Sequence, residues 1–158
     1  MMKRICFILF FASILTSCLE SDRALTVTTQ EEAIDKYITN KLGDYEVVRN
    51  GGSNRVILSP GEGLTISGAG DSISFYYEGY VFNSGKGIQF SSGNDSVLIG
   101  KTDMISGLEN GLTGMKNGEE SYIIFSAKYG FYKEQVGMVP PMSPLIYYVK
   151  IDNIKENN

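Results

Sequence analysis

Met104-Ile105-Ser106-Gly107-Leu108-Glu109-Asn110-Gly111-Leu112-Thr113-Gly114-Met115 carries a helical period into a stretch that, from Tyr45 on, otherwise repeats every two residues. Ile105, Leu108, Leu112 and Met115 recur at helical spacing, and Lys116-Asn117-Gly118 supplies the stop. On either side the pattern is that of strands. Tyr45-Glu46-Val47-Val48 and Arg55-Val56-Ile57-Leu58 flank the turn-rich Asn50-Gly51-Gly52-Ser53-Asn54. Ser72 to Phe82 places Ile73, Phe75, Tyr77 and Val81 on one face, with Gly79 among them. Val97-Leu98-Ile99 and Ser121 to Ser126 follow. The last strand, Leu145 to Ile151, aligns Leu145, Tyr147, Val149 and Ile151. Short strands around a single helix predict an α+β domain, an antiparallel sheet wrapped around that helix.

Working outward, Thr29-Gln30-Glu31-Glu32 fits a capping box with Thr29 as N-cap. Ala33, Ile34, Tyr37, Ile38 and Leu42 follow at helical spacing, and Gly43 ends the run. This extra N-terminal helix, residues 28–43, either packs on its own domain or serves as a dimerising arm.

The first residues read differently. Lys3 and Arg4 precede the apolar run Ile5 to Ala12, which is too short for the roughly 20 residues of a membrane span. Leu15-Thr16-Ser17-Cys18 resembles the lipobox of bacterial lipoproteins, in which the leader is cut before an acylated cysteine. The expected organisation is a leader over residues 1–17, a tether over 18–27 anchored through lipid on Cys18, the helix, and a domain over 44–158. Glu20 and Asp22 are similar to acidic sorting signals of some lipoproteins, and equally suit a solvated linker. The implied location is a bacterial envelope, on an outer membrane facing the periplasm or the surface.

Composition narrows the chemistry. Loss of the leader removes two of the 14 basic residues and no acid, which moves the formal charge from −4 to −6. Such a surface repels a phosphate backbone, so no nucleic-acid partner is expected. Both cysteines, Cys6 and Cys18, lie in the leader and its processing site, so the folded part has no disulfide. Histidine is absent throughout, which excludes Ser-His-Asp and Cys-His nucleophile systems. No calcium-loop pattern occurs, and no metal or cofactor is expected.

The ordered elements resemble the FK506-binding-protein (FKBP) family of peptidyl-prolyl isomerases. The matching stretches are Ser74-Phe75-Tyr76-Tyr77-Glu78-Gly79, Val97-Leu98-Ile99-Gly100, Met104 to Leu112, Gly114-Met115-Lys116-Asn117-Gly118-Glu119, Tyr129-Gly130, Gly137-Met138-Val139-Pro140-Pro141 and Leu145 to Ile151. Together they span residues 71–154. The resemblance implies a strongly curved sheet and a pocket for proline-containing polypeptides. It places Tyr77 on a wall tyrosine, Phe90 on a phenylalanine before Asp-Ser, and Leu108 on a floor tryptophan. Met104 and Ile105 fall on a Val-Ile pair whose second N–H receives the ligand carbonyl. Tyr129 falls on the tyrosine whose hydroxyl donates to the ligand, and Tyr147 on a phenylalanine of the last strand. Ser91, and Val139 ahead of Pro140-Pro141, complete the implied substrate contacts.

Two departures stand out. Leu108 removes the indole on which a proline ring would lie. Ser91 replaces the acid that bonds the pocket tyrosine, for which Asn94 or Asp95 are stand-ins. The segment from Gly79 to Phe90 is longer than the family's, and that from Ser126 to Tyr129 shorter. From periodicity alone Tyr77, Ile105, Leu108 and Tyr147 are equally core residues. The expected function is therefore an envelope-anchored isomerase or folding helper for exported proteins. The alternative is a catalytically weak or inactive binding module on the same fold.

Overall fold

The computed structural model describes residues 22–24, 26–66 and 68–156. The leader, the lipobox and Cys18 lie outside the described residues. Among those described, no helix is long and apolar enough to cross a membrane.

Six strands form one antiparallel sheet. They are β1 (Glu46–Asn50), β2 (Ser53–Ser59), β4 (Ser72–Phe82), β5 (Lys86–Leu98), β7 (Glu120–Phe125) and β8 (Leu145–Lys155), in the order β1-β2-β7-β8-β4-β5. A small second sheet pairs β3 (Glu62–Thr65) with β6 (Lys116–Asn117). The helix α2 (Ser106–Leu112) lies on the inner face. It ends before Gly114, whose φ of +83° favours glycine, and not at Gly118 as the spacing suggested. Lys116 and Asn117 leave as β6 instead.

Alternation sorts the strands onto two apolar faces. Ile73 and Phe75 of β4, Ile123 and Phe125 of β7, and Leu145, Tyr147, Val149 and Ile151 of β8 enclose Leu108 and Leu112 of α2. On the opposite face, Val56, Ile124, Ile146 and Phe82 are covered by Ile34, Ile38 and Leu42. Those three belong to α1 (residues 26–41) and the turn that follows it. The stripe that could have served a dimerising arm is thus spent on the protein's own sheet, with Ile34 and Ile38 almost completely buried. α1 also begins earlier than the capping box implied. Residues 22–24 are already helical, and the Thr26 and Thr28 hydroxyls donate back to the carbonyls of Asp22 and Ala24. Thr29 therefore sits inside the helix, and part of the expected tether is helix.

Polar contacts from α1 position loops. The Gln30 amide donates to the Met142 carbonyl at 2.7 Å and accepts from the Ala127 N–H at 2.9 Å. This pins a single 3-10 turn, Ala127–Tyr129, and the loop that follows it. The β1–β2 hairpin turns on Gly51 and Gly52, both at positive φ, the geometry of a two-residue type I′ loop. Its tip is clamped by α2, where Asn50 donates to the Asn110 carbonyl and Asn110 donates to the Gly51 carbonyl.

Candidate active site

A hollow of about 430 Å³ opens between the sheet's inner face, α2 and the loop before β8. Strand alternation points Phe75 and Tyr77 of β4 into it, and Tyr147 from the neighbouring β8. Gly79 continues that face. A Cβ there would come 2.8 Å from the Phe90 ring and 3.0 Å from the Tyr147 ring, so its missing side chain makes room for both.

Phe90 reaches the hollow by a β-bulge. Gly79 pairs with Ser91 and Tyr80 with Gln89, which leaves Phe90 as the extra residue on β5. Without the bulge, Phe90 and Ser91 would point to opposite faces. With it, both line the hollow. The Phe90 ring meets Tyr147 edge-on at 5.7 Å and Phe131 edge-on at 6.1 Å. Tyr147 is in turn stacked on Phe125, with centroids 6.0 Å apart and planes 18° apart.

Leu108 forms part of the floor, and Met104 and Ile105 the adjoining wall. Ile105 is the extended residue ahead of α2, and its carbonyl accepts from the N–H groups of Leu108 and Glu109. Its own N–H lies before the helix ladder begins. Ser91 takes the partner role that the resemblance gave to an acid, since its hydroxyl and that of Tyr77 are 3.1 Å apart. Asp95 also lines the hollow, but its carboxylate accepts from the Ser96 N–H. Asn94 pairs opposite Tyr76, on the other face of the sheet.

Two expected contacts fall elsewhere. Tyr129 does not line the hollow. Its ring covers the β1–β2 turn, where a Cβ on Gly52 would come 2.1 Å from it. Phe131, two residues on, stands at the rim instead and brings no hydroxyl. The 3-10 turn absorbs the residues between Ser126 and Tyr129, so the short loop shifts the rim position along the chain. Val139 is buried in the core, 1% exposed. Mutual backbone hydrogen bonds between Val136 and Val139 make a tight turn that presents Val136 and Met138 to the hollow. Phe75 was recoverable from its alternation with Tyr77. Phe131, Val136 and Met138 had no local signal.

The site is chemically sparse. Asp95 and Asp103 line its mouth without any lysine or arginine. Among the described residues no cluster of His, Cys, Asp and Glu could hold a metal ion. Burial, with a smaller contribution from Tyr77, pushes the Tyr147 phenol far above its ordinary range. Tyr147 therefore remains a neutral hydroxyl at any physiological pH. Such a hollow offers aromatic surface, low polarity and a few donors, and no nucleophile or base beyond the rim carboxylates.

A family model described as FKBP-type peptidyl-prolyl cis-trans isomerase matches residues 64–152. The chain belongs to that family. FK506-binding protein 1 of Yarrowia lipolytica is 31% identical over 100 residues, covering 60% of this chain and 90% of that protein. FK506-binding protein 1 of Aspergillus oryzae is 30% identical over 112 residues, covering 63% and 96%. The peptidyl-prolyl cis-trans isomerase Mip of Chlamydia muridarum is 31% identical over 105 residues, covering 65% of this chain and 41% of that protein. Among solved structures, the N-terminal domain of FKBP42 from Arabidopsis thaliana superposes with a TM-score of 0.63 at 22% identity, covering 70% of this chain and 93% of that one. The matched segment holds every wall of the hollow, from Phe75 to Tyr147, so the FKBP fold is what assembles this site. The α1 helix, like β1 and β2, precedes the matched segment.

Proposed function

We propose that the hollow binds proline-containing segments of exported polypeptides and accelerates cis–trans exchange of the bond before proline. Amide resonance sets that barrier at roughly 18–20 kcal/mol. Twisting the bond breaks the resonance and lowers the polarity of the carbonyl. An apolar, aromatic-walled site therefore favours the twisted form over the planar one, which is selective binding of the transition state. The observation that carries this reading is the convergence of Tyr77, Phe90 and Tyr147 over Leu108 in one open hollow. The Ile105 N–H is the proposed backbone donor to substrate. The test is exchange of an Ala-Leu-Pro-Phe peptide with increasing protein, where saturable acceleration is expected. Folded protein that leaves the exchange at its spontaneous rate would remove the catalytic claim.

A second reading, a binding module with little catalysis, draws on two observations. The floor is the aliphatic Leu108, and Phe131 occupies the rim where a donating hydroxyl was expected. Peptide binding without acceleration would decide for it.

We further infer that the protein is a lipoprotein of a bacterial envelope. The basic start at Lys3-Arg4, the apolar run after it, and Leu15-Thr16-Ser17-Cys18 support this. Expression in a bacterium with labelled palmitate should label the wild-type chain and leave a Cys18→Ser chain unlabelled. Equal labelling of both would refute the anchor.

A further inference from the structure

Tyr147 is 5% exposed and lines the hollow, yet no hydrogen bond to its hydroxyl occurs among the described residues. Nor is that oxygen sealed away. Among the described residues, the enclosed side-chain atoms that lack a partner are Arg55 Nε and Asn117 Oδ1. The Tyr147 hydroxyl therefore faces the open volume of the site. With only 5% of the residue exposed, water satisfies this phenol in part at best, and the unmet share costs stability. Phenylalanine would fill the same space, stack on Phe125 equally well and carry no such cost. A hydroxyl retained at this point calls for an occupant that accepts from it.

The rest of the wall says which occupant. The Tyr77 hydroxyl is already engaged with Ser91, and Phe131 supplies none. Met104, Ile105 and Leu108 contribute apolar side chains to the same hollow. The Tyr147 hydroxyl is the deeply set donor that no protein group engages, and a carbonyl carried into this space meets it. We propose that the Tyr147 hydroxyl donates a hydrogen bond to the carbonyl preceding proline in the bound segment, the role expected of Tyr129 from sequence. The inference rests on the proposed peptide-binding function of the same hollow. Burial keeps the phenol protonated, so the donor persists across the working pH range.

The experiment compares wild type with Tyr147→Phe, using the Ala-Leu-Pro-Phe peptide and its analogue with a thioamide at the Leu-Pro bond. Peptide affinity is read by NMR titration and folding stability by urea unfolding. Tyr147→Phe should bind the oxygen peptide about tenfold more weakly, the equivalent of one hydrogen bond. Its unfolding midpoint should equal or exceed that of wild type. A merely structural tyrosine would not weaken binding while leaving stability intact. The thioamide, a poorer acceptor, should weaken binding to wild type and change little in Tyr147→Phe. Phe131→Tyr in the Tyr147→Phe background, which returns a hydroxyl to the rim, should restore part of the affinity. If wild type binds the peptide and Tyr147→Phe binds it equally well, the inference fails alone. If wild type binds neither peptide, the function proposed for the hollow fails and takes this inference with it.

Discussion

An Arg55→Leu chain is expected to lose about 3–5 kcal/mol of folding stability, the cost of leaving a buried charge without its partner. Arg55 lies on β2 with its side chain turned inward, 6% exposed. Its Nη1 donates to the carbonyls of Gly111 at 3.3 Å and Thr113 at 2.9 Å, which closes the C-terminal end of α2. Its Nε stands 3.5 Å from Glu119 Oε1, a charge contact without hydrogen-bond geometry. Glu119 is buried too, and accepts from the Lys116 N–H and the Ser121 hydroxyl. Burial lowers the pKa of Arg55, and the Glu119 carboxylate opposes that shift. Leucine in place of Arg55 would strand the Glu119 charge and take away the Arg55 donor from the Gly111 and Thr113 carbonyls. Urea unfolding followed by tyrosine fluorescence or circular dichroism measures the loss, since the chain has no tryptophan. Arg55→Leu combined with Glu119→Leu should recover much of it, because an apolar pair of similar size often replaces a buried ion pair without penalty. A loss below about 1 kcal/mol for the single variant would show that the pair and its helix cap do not matter.

Alanine at Gly107 or Gly111 should destabilise by about 1–3 kcal/mol at each site, against the direction of helix propensity. In an exposed helix the same change gains roughly 1 kcal/mol. Here both glycines face β7. A Cβ on Gly107 would stand 2.4 Å from Cγ of Phe125, and one on Gly111 2.2 Å from Cγ2 of Ile123. Neither neighbour is the free end of a flexible side chain, and both are fully buried. The helix would have to lift off the sheet, and Leu108 with it. The double variant should therefore lose peptide binding as well as stability. An increase in unfolding midpoint for either single alanine would contradict the close approach of α2 to β7.

The boundaries of β4 coincided with its period-two pattern, and the inward faces of β4 and β8 were legible from alternation. The stripe of Ile34, Ile38 and Leu42 was legible as well, but not its destination. By contrast, β5 was read only at Val97-Leu98-Ile99. Lys86 to Ser96 is polar and glycine-rich, and it extends as an edge strand because β4 pairs with it. Phe90 was named from its neighbours' likeness to a family, whereas its orientation came from a bulge with no signature of its own. Tyr129 and Val139 were misplaced for a common reason. Each sits in an irregular segment with no period to orient its side chain: Tyr129 ends a turn held by Gln30 and covers Gly52, and Val139 closes a tight turn that seats it in the core.

Residue order alone, through alternation, helical spacing and the lack of histidine, established an antiparallel sheet around a short helix and ruled out nucleophilic chemistry that depends on histidine. Packing of distant segments chose which side chains became walls. It turned Tyr129 away and brought Phe131 in, turned Phe90 inward, and left the Tyr147 hydroxyl facing the hollow. Local periodicity reports which face of an element is apolar. Whether that face closes a core or borders an open volume depends on what the rest of the chain lays against it.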